Sequence, residues 1–246
     1  MKDLSWLSRT QLLIGEEALL QLTKCHVLVV GLGGVGSYAA EFIARSGIGR
    51  MTIVDGDVVD PSNRNRQLPA LATTHGQSKA LLMEERLKSI NPEIQLQVVR
   101  EFVNPEMVAQ CLQDKPDYII DAIDSITPKI TFMRMAYESK IPLVSSMGAG
   151  AKLDPTRLQV VDLSKTYNCP FAQQIRKQLK QHGIRKGITV VFSPENPIRE
   201  SLMLTDGKNF KKSAYGTISY LPAVFGAVTA SVAIRNLIKN LPQSNT

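Results

Sequence analysis

Apolar positions along the chain fall into short dense runs, separated by longer stretches where they recur every three or four residues. Cys25–Gly31 reads C-H-V-L-V-V-G, continuously apolar and rich in β-branched residues. Such a run predicts a parallel strand buried on both faces. Met51–Asp55, Ile94–Arg100, Tyr118–Asp121 and Pro142–Ser146 read the same way. Helical spacing predicts a short helix near Glu16–Leu22 and another running from the glycine-rich turn after Gly31 to about Ser46. Further helices are predicted over His75–Ile90, stopped by Asn91-Pro92, and over Pro105–Leu112 and Thr127–Ser139. A loop rich in Pro, Asn and Arg occupies Val58 to about Thr74.

Strand and helix alternate, so the pattern predicts a doubly wound, Rossmann-like, mostly parallel α/β sheet. Beyond Gly148-Ala149-Gly150 the rhythm changes. A strand (Arg157–Leu163), a basic helix (Phe171–Gln181) and a strand (Ile188–Phe192) are followed by a loop with Pro194 and Pro197. The stretch Tyr215–Tyr220 and an apolar helix from about Pro222 to Asn240 end the chain. The expected division is a nucleotide-binding domain over 1–150 and a smaller basic α/β lobe over 151–246, continuous with the same fold. Arg235 interrupts the last helix, which reads as a docking or dimer element rather than a membrane anchor. No apolar run is expected to span a bilayer, and Met1-Lys2-Asp3-Leu4-Ser5 does not resemble a signal peptide. The expectation is a cytoplasmic protein without a membrane partner.

Charge changes the picture for the C-terminal part. The net charge is +7; residues 152–212 hold twelve Lys/Arg against five Asp/Glu, and the remainder holds seventeen of each. This contiguous excess is either a solvated basic face or a polyanion-binding surface. The three cysteines, Cys25, Cys111 and Cys169, form no C-x-x-C pair and support neither a disulfide framework nor a cysteine-ligated zinc.

The turn Gly31-Leu32-Gly33-Gly34-Val35-Gly36 follows a strong strand and opens a helix. Glycines there permit a tight turn and bring backbone N–H groups and a helix N-terminus to phosphate oxygens. Asp55, closing the second strand, is placed to accept ribose hydroxyls. To this point NAD and ATP fit equally. Asn63-Arg64-Asn65-Arg66-Gln67 adds cations suited to a triphosphate, and Lys79 opens a helix where its ammonium reaches phosphate. Asp121 and Asp124 follow the fourth strand, on the edge where open α/β sheets bind ligands. Asp124 is a candidate Mg²⁺ ligand and Asp121 a capping or positioning residue, the alternative for either being a plain helix N-cap.

These strings together resemble the ubiquitin-activating-enzyme-like adenylyltransferases, the ThiF/MoeB/HesA group. The resemblance rests on G-L-G-G-V-G (31–36), I-V-D-G-D (53–57), N-R-N-R-Q (63–67), G-Q-S-K (76–79), I-N-P (90–92) and D-A-I-D-S (121–125). A second set, S-R-T-Q-L-L-I-G (8–15), A-R-S-G-I-G (44–49), D-A-I-D-S-I-T-P-K (121–129), K-I-P-L-V-S-S-M-G-A-G (140–150) and D-P-T-R-L-Q-V-V-D-L-S-K-T (154–166), is similar to the tRNA threonylcarbamoyladenosine dehydratase (TcdA/CsdL) branch. The resemblance implies that ATP adenylates the carboxylate of threonylcarbamoyl adenosine in tRNA, after which the side chain cyclises and AMP leaves. It implies Gly31, Gly33, Gly34 and Gly36 at the phosphates and Asp55 at the ribose, with Asn63 in the nucleotide site. It implies Arg66 and Lys79 on phosphates, Asp124 through Mg²⁺, and Arg9 as an arginine finger, in cis or across a homodimer; Arg9 also reads as a plain surface arginine. The branch further implies a monovalent cation and leaves room for sulfur-relay partners. The alternative activity is adenylation of the C-terminal glycine of a ubiquitin-like sulfur carrier. Cys169 stands where relatives commonly carry aspartate before proline. It reads as a helix cap or small loop residue, the alternative being a thioester nucleophile with His182 as a distant base.

Overall fold

A computed structural model describes residues 3–204 and 213–239. Its elements are α1 (Ser8–Ile14), α2 (Glu16–Leu22), β1 (His26–Val30), α3 (Gly36–Arg45), β2 (Arg50–Val54), α4 (Lys79–Ile90), β3 (Gln95–Val99) and α5 (Pro105–Gln113). They continue with β4 (Tyr118–Asp121), α6 (Ile126–Glu138), β5 (Leu143–Ser146), β6 (Gln159–Asp162), α7 (Pro170–Gln181), β7 (Thr189–Phe192), β8 (Leu202–Leu204), β9 (Ser213–Tyr215) and α8 (Tyr220–Ile238).

Seven strands form one sheet in the order β3-β2-β1-β4-β5-β7-β6, parallel except for β6, which runs antiparallel to β7. All five residues of β1 are buried. Alternate side chains serve opposite faces. Val27 and Val29 join the cluster that holds Ala39, Ile43, Met83 and Phe225; Leu28 and Val30 join the one that holds Met107, Phe132 and Ile175. One face is thus covered by α3, α4 and α8, the other by α5, α6 and α7. The fold is α/β and Rossmann-like, with a mostly parallel sheet and a smaller C-terminal part. That part returns to the sheet through β6 and β7.

The differences from the sequence expectations are local. A helix at Ser8–Ile14, not expected, precedes α2; none of its residues is buried, so it lacks an inward apolar stripe to read. Residues 75–78 form a turn rather than the start of α4, because Gly76 takes φ +77° and Ser78 bridges to Val58. The hairpin β8–β9 was also not expected, and Lys208, Lys211 and Lys212 of the basic stretch lie outside the described residues.

Contrary to the expectation that no apolar run could span a bilayer, α8 meets that test by length and composition, with mean hydropathy 1.5. Here it packs against α3, β5, α2 and β4. Its tightest approach is at Gly226, where a Cβ would stand 2.5 Å from the Val35 carbonyl oxygen and 2.9 Å from Tyr38 Cβ. Gly226→Ala is expected to cost about 1–3 kcal/mol through overpacking. Denaturant unfolding checks this, and unchanged stability would show that α8 can slide away from α3.

Candidate nucleotide-binding and catalytic site

The turn between β1 and α3 is built to its glycines. Gly31 holds φ +88°, and a Cβ there would lie 2.8 Å from the Ala122 carbonyl oxygen. A Cβ on Gly36 would fall 1.7 Å from the Gly31 carbonyl oxygen, so no larger residue closes this turn. Gly34 is confined by Pro222 Cβ at 3.0 Å and Arg66 Cγ at 3.4 Å, whereas Gly33 meets only Gln67 Nε2, at 3.7 Å. The Gly33 carbonyl accepts the Ser37 hydroxyl at 2.6 Å. Among the described residues no acceptor meets the N–H groups of Gly33, Gly34 or Val35. Three bare donors at a helix N-terminus are an anion cradle.

Asp55 fastens this turn. Its Oδ2 accepts the Leu32 N–H at 2.6 Å and its Oδ1 accepts the Asp57 N–H at 2.8 Å. Burial pushes the carboxyl above its ordinary value, and Lys79 pulls the other way. Lys79 is itself buried, with Nζ 3.1 Å from Asp57 Oδ2. The lysine expected on phosphate is thus anchored between two carboxylates beside the cradle.

The loop after β2 places the cations. Asp60 caps the turn Pro61–Asn63, its carboxylate accepting from Ser62, while the Asn63 side chain accepts the Asp60 N–H at 3.1 Å. The Asn63 carbonyl then accepts the N–H groups of Arg66 and Gln67. Asn63 therefore holds the loop that carries Arg66. Arg66 donates to the Ser62 carbonyl at 3.0 Å and to Asn65 at 2.9 Å, and lies over Gly34. Burial lowers its pKa, opposed by the charges of Asp124 and Asp60. Gln67 Oε1 is buried without a hydrogen-bond partner, while Nε2 of the same amide is the atom nearest Gly33.

Asp124 projects, exposed, from the loop after β4. That loop is braced from below by a pair that sequence reading undervalued. Lys129 and Asp121 are both 0% exposed, with Nζ 2.8 Å from Asp121 Oδ2. Asp121 also accepts the Ser145 hydroxyl at 2.7 Å and the Ile123 N–H at 3.0 Å, and Lys129 donates to the Ile123 carbonyl at 3.0 Å. The available signal was a lysine on the apolar face of α6, in line with Ile130 and Met133. Among the described residues, no cluster of three His, Cys, Asp or Glu side chains can hold a metal by itself.

Arg9 lies elsewhere. It is exposed on α1 and makes no hydrogen bond or ion pair with the described residues. Cys169 is buried at the N-cap position of α7, though its thiol caps nothing. The Lys152 ammonium, bonded to the Ser193 carbonyl at 2.7 Å, sits against it. His182 follows the last turn of the same helix, about 20 Å from Cys169 by helix geometry, too far to serve it as a base.

A parallel sheet whose first crossover turn offers bare amides beneath an arginine defines a nucleotide-binding α/β protein. The ThiF family model matches residues 7–246. The chain is 42% identical over 241 residues to the tRNA threonylcarbamoyladenosine dehydratase of Bacillus subtilis, covering 95% of each chain. The Escherichia coli dehydratase TcdA in complex with ATP superposes with a TM-score of 0.87 at 40% identity, covering 96% of this chain and 95% of that one. TcdA in complex with AMP gives 0.86 at 41%, covering 94% and 93%. The chain belongs to the ThiF family and, within it, to the tRNA threonylcarbamoyladenosine dehydratase branch.

Lys129→Met leaves Asp121 buried without its counter-charge, which is expected to cost about 3–5 kcal/mol. Adding Asp121→Asn is expected to return part of that loss. Equal stability of the single variant and the parent in denaturant would contradict the bracing role.

Proposed function

We propose that the chain is an ATP-dependent dehydratase that cyclises threonylcarbamoyl adenosine in tRNA. The observation that carries this reading is similarity along nearly the whole length of both chains to dehydratases of that name, one of them seen in complex with ATP and with AMP. The cradle of bare N–H groups supports it, because an adenylating enzyme must hold a polyphosphate while its α-phosphorus is attacked.

The substrate carboxylate attacks that phosphorus and pyrophosphate leaves. The modified side chain then closes on its activated carbonyl, and AMP departs with one carboxylate oxygen. Gly33, Gly34 and the following amide bind phosphate, and Gly31 and Gly36 shape the turn. Arg66 and Lys79 offset charge developing at phosphorus. Asp55 fixes the turn from the ribose side and Asn63 holds the arginine loop. Asp124, an exposed carboxylate near Arg66, would hold Mg²⁺, an ion commonly bound through one or two carboxylates, which would supply positive charge to the phosphates there.

A second copy of the chain is the partner that α1 fits. Leu12 and Leu13 on that helix are 88% and 84% exposed, and the side chain of the nearby Arg9 has no ion-pair partner among the described residues. In this reading the homodimer covers the leucines and brings Arg9 to the neighbouring cradle.

Lys79→Ala and Asp124→Ala are expected to abolish AMP release with threonylcarbamoylated tRNA while leaving the fold intact by circular dichroism. Chelation with EDTA has the same effect, reversed by Mg²⁺. A variant that turns over normally overturns that residue's role. Mixing inactive Arg9→Ala with inactive Lys79→Ala chains is expected to restore about one quarter of wild-type activity, since half of the random dimers regain one complete site. A mixture that stays inactive rules out action across the dimer.

A further inference from the structure

We propose that a groove on the outer side of α7 holds the sugar–phosphate backbone of the tRNA, at a docking site distinct from the nucleotide cradle. The proposal rests on the tRNA reading above and locates where the body of that substrate lies.

The groove has a volume of about 550 Å³. Arg176, Lys177 and Lys180 line it from α7, and Arg185 and Lys186 from the loop that follows; no acidic side chain lines it. Local sequence builds this arrangement. Ala172, Ile175 and Leu179 turn one face of α7 into the core, which sends the cations outward. Gly183 and Gly187, at φ +79° and +95°, bend the next loop so that Arg185 and Lys186 stand beside the helix. Asp162 ties the groove's two sides through the N–H groups of Ser164 and Gly187, at 2.8 and 2.6 Å, so this neighbouring carboxylate is already engaged. Arg176 is held to the Thr166 carbonyl at 2.7 Å.

The other four cations are exposed, and none has a carboxylate partner among the described residues. Every ion pair among those residues lies between Glu41 and Glu138. Four uncompensated like charges around one groove repel one another until a polyanion neutralises them.

Position selects the kind of polyanion. β7 runs parallel to β5, β4 and β1, so Phe192 at its end lies on the cradle's edge of the sheet, and Ile188, in the groove floor, lies at the opposite edge. α7 itself spans twelve residues, roughly 18 Å, between those edges. A mononucleotide seated at Gly33 does not reach the groove, whereas a polynucleotide bound at both places does. The floor is aliphatic, formed by Leu163, Ile184 and Ile188, and no aromatic ring lines the groove. It offers sugars an apolar surface and phosphates a cationic rim, with nothing for bases to stack on. That combination reads backbone and not sequence.

The test compares the full-length wild type with a variant carrying Lys177→Gln, Lys180→Gln, Arg185→Gln and Lys186→Gln, and with a charge-matched control carrying Gln at exposed Lys24, Lys115, Lys140 and Lys239. Binding of bulk tRNA is measured against salt concentration, and ATP binding is measured alongside. Loss of four phosphate contacts is expected to flatten the slope of log K against log salt by about 3 units and to weaken binding at least tenfold at low salt. ATP affinity is expected to be unchanged, and the control to keep the wild-type slope to within one unit. A groove variant with the wild-type slope, or a control equally affected, overturns the proposal while leaving the tRNA reading intact. A wild type that binds no tRNA at low salt overturns both. Loss of binding to anionic phosphatidylserine vesicles with tRNA binding retained would assign the groove to a membrane surface instead and also overturn the proposal.

Discussion

The buried Asp121–Lys129 pair is the interaction on which the site depends. It stands at the carboxyl end of β4, in the middle of the sheet, and fixes the loop that follows from beneath. Ala122 of that loop donates to the Val30 carbonyl at 2.9 Å and presents its own carbonyl to Gly31, leaving no space for a side chain. The position of the phosphate cradle is therefore set by β4 as much as by β1. Asp124, two residues beyond Ala122, inherits the same placement and faces Arg66. Replacing such a pair with apolar groups often costs a protein little, but removing one partner costs a great deal. Its value here is geometric: two carboxylates three residues apart have opposite environments, Asp121 fully buried and Asp124 exposed on the cradle's edge of the sheet.

Cations are arranged in two ways. Around the cradle they are tethered, Lys79 by Asp57 and Arg66 by Ser62 and Asn65, so they present fixed charge at a fixed place. Such preorganisation suits stabilisation of a transition state. Along α7 they stand exposed without acidic partners and suit a long, flexible polyanion whose phosphates need no single register. A protein that adenylates a group carried on tRNA needs both kinds. Lys79 and Arg66 belong to the part of the chain in which acidic and basic residues balance, whereas the cations of the proposed docking groove belong to the basic stretch 152–212.

Much of this was legible in the sequence. β1 announced itself because a doubly buried strand cannot alternate, and Gly31 and Gly36 because the turn they make excludes a Cβ. Asp55 was legible as a strand-end carboxylate, although its oxygens already serve the amides of Leu32 and Asp57. Lys129 was less so: its place on the apolar face of α6 marks it as buried, but its partner Asp121 lies on another element and is not named by that pattern. α1 was not, since only its last residue, Ile14, packs against the core and the rest of the helix has no inward stripe. The basic stretch was visible as charge, but its grouping into one groove depends on the loop through Gly183 and Gly187 folding back beside α7. Helix geometry, and nothing local in sequence, separates Cys169 from His182.

Attack of the substrate carboxylate on the α-phosphorus of ATP is tested most directly by oxygen-isotope transfer, using tRNA whose threonylcarbamoyl carboxylate carries ¹⁸O and analysing the nucleotide products by mass spectrometry. The expected products are AMP and pyrophosphate, with one ¹⁸O in the AMP for each cyclised nucleoside. Release of ADP with the label in inorganic phosphate, or unlabelled AMP alongside cyclised product, would contradict that attack.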